Sequence, residues 1–394
     1  MIEGWRWYGD LDRITLPEIA QTGARSIVTA LHSIPYGEVW PREVIAARRK
    51  EIAAHGFDWA VVESLPVDDA IKRGDGNLQR LFANYRQSMA NLAAEGIKTI
   101  CYNFMPLLDW TRTDLTAPVR NGGTCLRFSI DKMAALELFM LERPGAASDY
   151  CAEVAAAAKD WFDAATSDDR QALVTAIMAG LPGAFPRYDV EGLKEALRPY
   201  QHLDRATLRQ NYKRFLEEVV PTAEELGLQL AVHPDDPPRD LLGLPRIVTD
   251  KADIEWILSA LESAANGLTL CTGSLGANPE NDLPEIAQAF ADKIPFAHLR
   301  NVRKDPDGSF EEAAHLEGDT DLARVVDILL REEQRRRANG RGHHEIVFRP
   351  DHGHELLDDR NKGTHPGYPL VGRMRGLAEL RGVIAGLACR RVVA

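Results

Sequence analysis

DWAVVESLPVDDAIKRGDGNLQRLFANYRQSMANLAAEGIKTICYNF, residues 58–104, reads as strand, helix, strand. The runs at 58–64 and 98–104 are short and apolar. They lack the clean polar alternation of a strand with one wet face, as expected for strands buried on both sides. Between them, Leu78 to Glu95 carries helical periodicity and stops at Gly96, a residue suited to ending a helix. A strand that leads through a helix into another strand makes a right-handed crossover in a parallel sheet.

The same unit repeats on either side. Upstream lie WRWY at 5–8 and RSIVTAL at 25–31, with a short helix over Leu16–Gln21 and a longer one over Val44–His55 that stops at Gly56. Downstream come LQLAVH at 228–233, LTLCT at 268–272, PFAHLR at 295–300 and EIVFRPD at 345–351. Eight such strands close into a (β/α)8 TIM barrel, an α/β fold whose active site sits at the carboxyl ends of its strands. Residues 1–394 form one catalytic domain in this reading. Residues 105–227, between the fourth and fifth strands, far exceed a usual unit of about 30 residues, so they form an insertion. CAEVAAAAKDWFDAA and DDRQALVTAIMAGL make it mainly helical, and LPGAFPRYD at 181–189 divides it. Its place is over the barrel mouth or at an oligomer interface, a homodimer being the assembly its helical faces suit.

Composition narrows the function classes. With 59 acidic against 47 basic residues the net charge is −12, which repels nucleic acid and anionic membrane. No basic stripe offsets it, since REEQRRR at 331–337 carries its own acids and reads as a solvated helix end. Five widely spaced cysteines without a CxxC pair fit a reducing, cytoplasmic setting. Neither a signal-like N-terminus nor a membrane-length apolar run is present.

Four consecutive strands in the second half end in His233, Cys271, His298 and Asp351. Each has an ordinary explanation alone: a histidine bonded to a carbonyl, a small buried thiol, a core histidine, a capping aspartate. Together they fall on the one surface where barrel side chains converge, so they form a candidate metal site. Two imidazoles, a thiolate and a carboxylate from distant segments suit an open site for Mn2+, Fe2+ or Zn2+ rather than a closed structural one. Residues two apart on a strand face the same way, which puts Arg300 beside His298 and Arg349 beside Asp351. Two guanidiniums next to a cation imply an anionic ligand between them. The other reading pairs them with structural acids such as Asp109 or Glu63.

Seven segments carry a resemblance. CYNFMPLLDWTRTDL from Cys101, AVHPDDPP from Ala231, LCTGSLG from Leu270, HLRN from His298, EAAHLEGDTD from Glu312, RPDHGH from Arg349 and GYPLVGR from Gly367 together resemble the mannonate dehydratases of hexuronate (glucuronate) breakdown. They run in family order over nearly the whole chain. The resemblance implies a barrel of the xylose isomerase-like group and a divalent metal, Mn2+ or Fe2+ foremost, on His233, Cys271, His298 and Asp351. It also implies the loss of water from D-mannonate to give 2-dehydro-3-deoxy-D-gluconate. That chemistry needs a group to take the C2 proton and another to protonate the departing C3 hydroxyl. His352 is the expected acid and Tyr368 the expected base. Arg300, Arg349, Asn103 and His315 are the expected substrate contacts, with Asp109 and Arg112 as further hydrogen-bonding groups. Asp319 and Thr320 read as caps of a helix over 321–331. Two alternatives stand beside this reading: a metal-dependent sugar isomerase or epimerase on the same barrel, which a thiolate ligand disfavours, and a non-catalytic sugar-acid-binding barrel.

Overall fold

The computed structural model describes residues 1–180 and 187–393. Along them lie twelve strands: β1 (Ile2–Arg6), β2 (Ser26–Thr29), β3 (Asp58–Glu63), β4 (Thr99–Tyr102), β5 (Asp114–Pro118), β6 (Thr124–Phe128), β7 (Gln229–Val232), β8 (Asn266–Cys271), β9 (Phe296–His298), β10 (Asn301–Lys304), β11 (Phe310–Ala313) and β12 (Val347–Arg349). Eight of them close into a barrel in the order β1-β12-β9-β8-β7-β4-β3-β2, parallel at every seam. All eight expected barrel strands are therefore present. The first starts earlier than WRWY suggested, because Ile2 and Glu3 pair with Val347 and Phe348. The amino terminus is held there by Glu333 at 2.8 Å.

The lumen is plugged before the site begins. Val28, Val61, Cys101, Phe296 and Val347, one from each of five strands, form a buried cluster apart from the main core. Side chains alternate across a strand, so the residue two places on from each plug residue again faces inward. That rule lifts Glu63, Asn103, His298 and Arg349 out of the apolar floor and into the mouth. The larger core lies between the strands and the surrounding helices.

The insertion differs from its sequence reading at both ends. It opens with the hairpin β5–β6, which joins β10–β11 in a four-stranded antiparallel sheet ordered β10-β11-β6-β5. Its last helix, Arg205–Leu226, is the crossover of the fourth barrel unit. It ends at Gly227 in the left-handed conformation just before β7 and packs on the helix Leu78–Ala94 through Tyr85 and Phe215, whose rings lie 5.1 Å apart. Between these ends the described part is helical, as over Ala152–Ala164, Ser167–Ile177 and Val190–Leu197. The division expected at 181–189 falls mostly outside the described residues.

Two smaller expectations are corrected. The helix expected over 321–331 runs Leu322–Ala338 and is capped by Asp321, whose carboxylate accepts from Arg324 N. Asp319 and Thr320 instead pin the preceding turn, accepting from Lys304 N and bonding Asn301. Nor is the end of that helix simply solvated. Arg336 is buried and donates to the carbonyls of Ala291 and Ile294, while Glu333 accepts from Ile346 N.

Candidate metal and catalytic site

Four barrel strands deliver the candidate ligands to one point. His233 follows β7 directly, its backbone N–H donating to Tyr102 O at 2.7 Å. Cys271 and His298 close β8 and β9, and Asp351 lies two residues beyond β12. The donor atoms of His233, Cys271 and His298 all lie within 4.8 Å of one another. Asp351 Oδ2 lies 3.9 Å from Cys271 Sγ and 3.8 Å from His298 Nδ1. Ser274 donates to the sulfur twice, from its backbone N at 3.4 Å and its hydroxyl at 3.1 Å, which fixes the direction of the side chain.

Hydrogen bonding around the two imidazoles tests whether the set fits a cation. His233 Nδ1 lies 2.6 Å from Pro234 O. A carbonyl only accepts, so Nδ1 carries the proton and Nε2 presents its lone pair. His298 Nε2 lies 3.3 Å from Glu63 Oε2, in ion-pair range though off the line of a well-formed hydrogen bond. Its proton belongs on that side, leaving Nδ1 open. The two open nitrogens face each other at 3.1 Å. Lone pairs at that separation repel, whereas nitrogen donors sharing one ion through bonds of about 2.0–2.1 Å sit roughly 3 Å apart. Burial also pushes the His233 imidazole down from its usual value and so keeps it neutral, as a ligand must be. The residues fit a divalent ion of intermediate softness.

The arginines expected to hold substrate are already tied to acids. Arg349 gives Nε and Nη2 to Glu63, at 2.9 and 2.6 Å, and Nη1 to Asp351. Arg300 contacts Asp236 at 2.9 Å, Asp351 at 3.1 Å and Glu312 at 3.1 Å, and keeps Nη2 without a partner. It can reach these groups because it lies on Gly273, where an added Cβ would stand 1.9 Å from Arg300 Nε. Burial works against ionising Asp351, but Arg349 and the neighbouring cationic groups hold its carboxyl well below the usual range. Arg112, expected near sugar hydroxyls, is fully buried between Asp236 and Glu312.

His352 and Tyr368 meet beside the metal set. His352 Nε2 lies 3.2 Å from the Tyr368 hydroxyl and Nδ1 lies 2.9 Å from Glu312 Oε1, while the same hydroxyl stands 3.4 Å from Asp351 Oδ1. Glu312 comes from β11, so the small antiparallel sheet carries the histidine's partner across the mouth. Burial opposes its ionisation, yet Arg300 and His352 bring its pKa down to about 2. Burial pushes the Tyr368 phenol well above its usual value. The loop bearing His352 presses onto the helix Leu370–Val393 at Gly372, where a Cβ would stand 1.9 Å from His354 O.

A cleft opens onto this arrangement, lined among others by His233, Arg300, Arg349, Asp351, His352 and Tyr368. Asn103 and Asp109 line it too. His315 does not; it is buried behind Glu312 with its ring against Gly376. Glu63 was named in the sequence reading as a possible structural partner of the arginines, and it is the partner of Arg349. Two acids lacked an assigned role there. Asp236 and Glu312 lie inside AVHPDDPP and EAAHLEGDTD, but nothing local marks them as partners of Arg300.

The fold and this donor set define a TIM barrel whose mouth brings together a group of side chains able to hold a metal ion, beside a histidine–tyrosine pair. The sequence model described as D-mannonate dehydratase (UxuA) matches residues 1–392, and the chain belongs to that family. It is 52% identical over 380 residues to a mannonate dehydratase of Chromohalobacter salexigens, covering 96% of this chain and 97% of that protein. It is likewise 52% identical over 384 residues to the Marinomonas sp. mannonate dehydratase, covering 97% and 98%. The crystal structure of mannonate dehydratase from Streptococcus suis serotype 2 superposes with a TM-score of 0.77 at 32% identity, covering 99% of this chain and 94% of that one. No helix among the described residues is long and apolar enough to cross a membrane.

Proposed function

We propose that the protein removes water from D-mannonate to give 2-dehydro-3-deoxy-D-gluconate, with His233, Cys271, His298 and Asp351 holding a divalent ion, Mn2+ or Fe2+. The observation that carries this reading is the meeting, in one cleft, of two inward imidazole lone pairs and a proton-transfer pair. A divalent ion bound there supplies an electrophile for the negative charge that spreads onto the carboxylate when C2 is deprotonated.

The chain's own residues handle the protons. Glu312 fixes the His352 proton on Nδ1, so Nε2 is the acceptor that takes the C2 proton. Tyr368 has one hydroxyl proton, which points to His352 or Asp351, and it delivers that proton to the departing C3 hydroxyl. This pattern favours His352 as base and Tyr368 as acid, the reverse of the expectation from sequence. Arg349 and Glu63 orient Asp351 and His298, the supporting role that partners of ligands play. Arg300 Nη2 and Asn103 remain to hydrogen-bond the sugar acid. The enol released then rearranges to the 2-keto acid.

The test is a dehydration assay after EDTA treatment with Mn2+, Fe2+ and Zn2+ restored in turn. A 2-keto-3-deoxy acid should appear with at least one metal. No product with any of them, or an isomeric sugar instead, would sink the proposal.

A further inference from the structure

Arg112, Arg300 and Arg349 share Glu63, Asp236, Glu312 and Asp351 among them. Arg6, the last residue of β1, is different. It is 2% exposed and makes no ion pair among the described residues. Nη2 lies 3.3 Å from His32 Nε2, while Nε and Nη1 have no partner. Burial keeps His32 neutral, so this contact supplies no charge. Arg373, a buried neighbour that also lacks a carboxylate, places all three nitrogens on backbone carbonyls. Arg6 has no such outlet. Its stacking on Tyr8, 4.7 Å to the ring centroid, uses the face of the guanidinium and leaves the in-plane N–H groups unmet.

Position gives these donors a purpose. Ile2 packs on the lumen plug, and Arg6 lies on the same face four residues on. Ile2 is in register with Val347, and carrying that register up the two strands sets Arg6 level with Asp351. Three of the groups whose charge acts on it, Glu63, Arg349 and Tyr368, line the cleft. Two more donors in this corner lack acceptors: the Tyr8 hydroxyl, whose ring meets Tyr368 edge-on at 5.1 Å, and the Trp110 indole N–H. A buried corner in which a cation and its neighbouring donors outnumber the acceptors that meet them is complementary to an anion.

We propose that Arg6, with the Tyr8 hydroxyl beside it, anchors the carboxylate of the sugar acid. This rests on the proposed function in taking the ligand to be a sugar acid. It recasts Arg349, whose nitrogens are all engaged, as the group that positions Asp351.

The experiment is calorimetric titration of the full-length, metal-loaded protein with two probes, D-gluconate and the uncharged D-mannitol. Wild type should bind the acid in clear preference to the polyol. Arg6→Gln should weaken gluconate binding about tenfold to a hundredfold and leave mannitol within twofold, with Arg6→Lys between. Tyr8→Phe removes a hydroxyl that makes no well-formed hydrogen bond, so it should keep the fold and weaken gluconate about fivefold. If Arg6→Gln does not fold, Arg6→Lys and Tyr8→Phe decide, and unchanged gluconate affinity in both overturns the proposal. So does gluconate affinity within twofold of wild type in a folded Arg6→Gln, an equal loss for both probes, or a wild type that binds neither or both alike. Wild type that prefers the acid yet fails to dehydrate D-mannonate would refute the proposed function while leaving this corner an anion site.

Discussion

Glu63→Gln is the sharpest test of how the site is held together. Glu63 is buried, takes both Nε and Nη2 of Arg349 and stands 3.3 Å from His298 Nε2. The glutamine keeps the size and one acceptor oxygen but removes the charge, so Arg349 keeps one of its two hydrogen bonds to residue 63 and has Asp351 as its remaining ionic partner. Breaking a buried pair from one side costs about 3–5 kcal/mol. The retained acceptor puts this change at the lower end, about 3 kcal/mol. For 394 residues, an unfolding entropy of about 2.1 cal/mol/K per residue sums to about 0.8 kcal/mol/K, so Tm should fall by about 4 °C. The same change frees the His298 ring, and loss of such a partner weakens metal binding about 10- to 100-fold. Calorimetry on metal-free protein reads the first effect, and competition with a metal-binding dye the second. A variant with unchanged Tm and metal affinity within threefold would refute the view that Glu63 organises both Arg349 and His298.

Two further outcomes follow from the same geometry. His352→Asn and Tyr368→Phe should each lower kcat about 10²- to 10⁴-fold, and the double variant should fall little below the worse single, since a hydrogen-bonded relay fails as a unit; multiplying losses in steady-state kinetics would separate the two residues. Gly273→Ala forces a methyl group into the space of Arg300 Nε and should cost about 1–3 kcal/mol in urea unfolding with loss of turnover, so a fully stable, active variant would contradict the seating of Arg300 on Gly273.

The barrel was legible because its strands are fully buried and announce themselves as apolar runs, and because strand ends converge by geometry. That logic brought His233, Cys271, His298 and Asp351 to one place. It stopped short where partners come from outside the strand ends. β5 and β6 are short, and DLTAP carries Asp and Pro, so period-two burial is hard to see there. The helix Arg205–Leu226 carries Pro221 within it and follows a run of other helices, which hides its membership of the barrel. Arg300 and Arg349 illustrate a deeper limit. Sequence placed them at the mouth, but whether a guanidinium faces a ligand or a buried acid depends on residues such as Asp236 and Glu63, far away in the chain.

The small sheet over the mouth bears on how the protein acquires its activity. The barrel's βα units are built from neighbouring stretches of chain, whereas β6 meets β11 by pairing Phe128 with Phe310. Closing so long a loop carries a large entropy cost, and contacts of high sequence separation form late. Glu312 rides on that pairing, and His352 takes its orientation from Glu312. The cylinder itself closes over a longer span still, Ile2 with Val347. Both closures, that of the barrel and that of the small sheet, must therefore be made before His352 is aligned over the candidate ligands, and competence arrives with the last long-range contact.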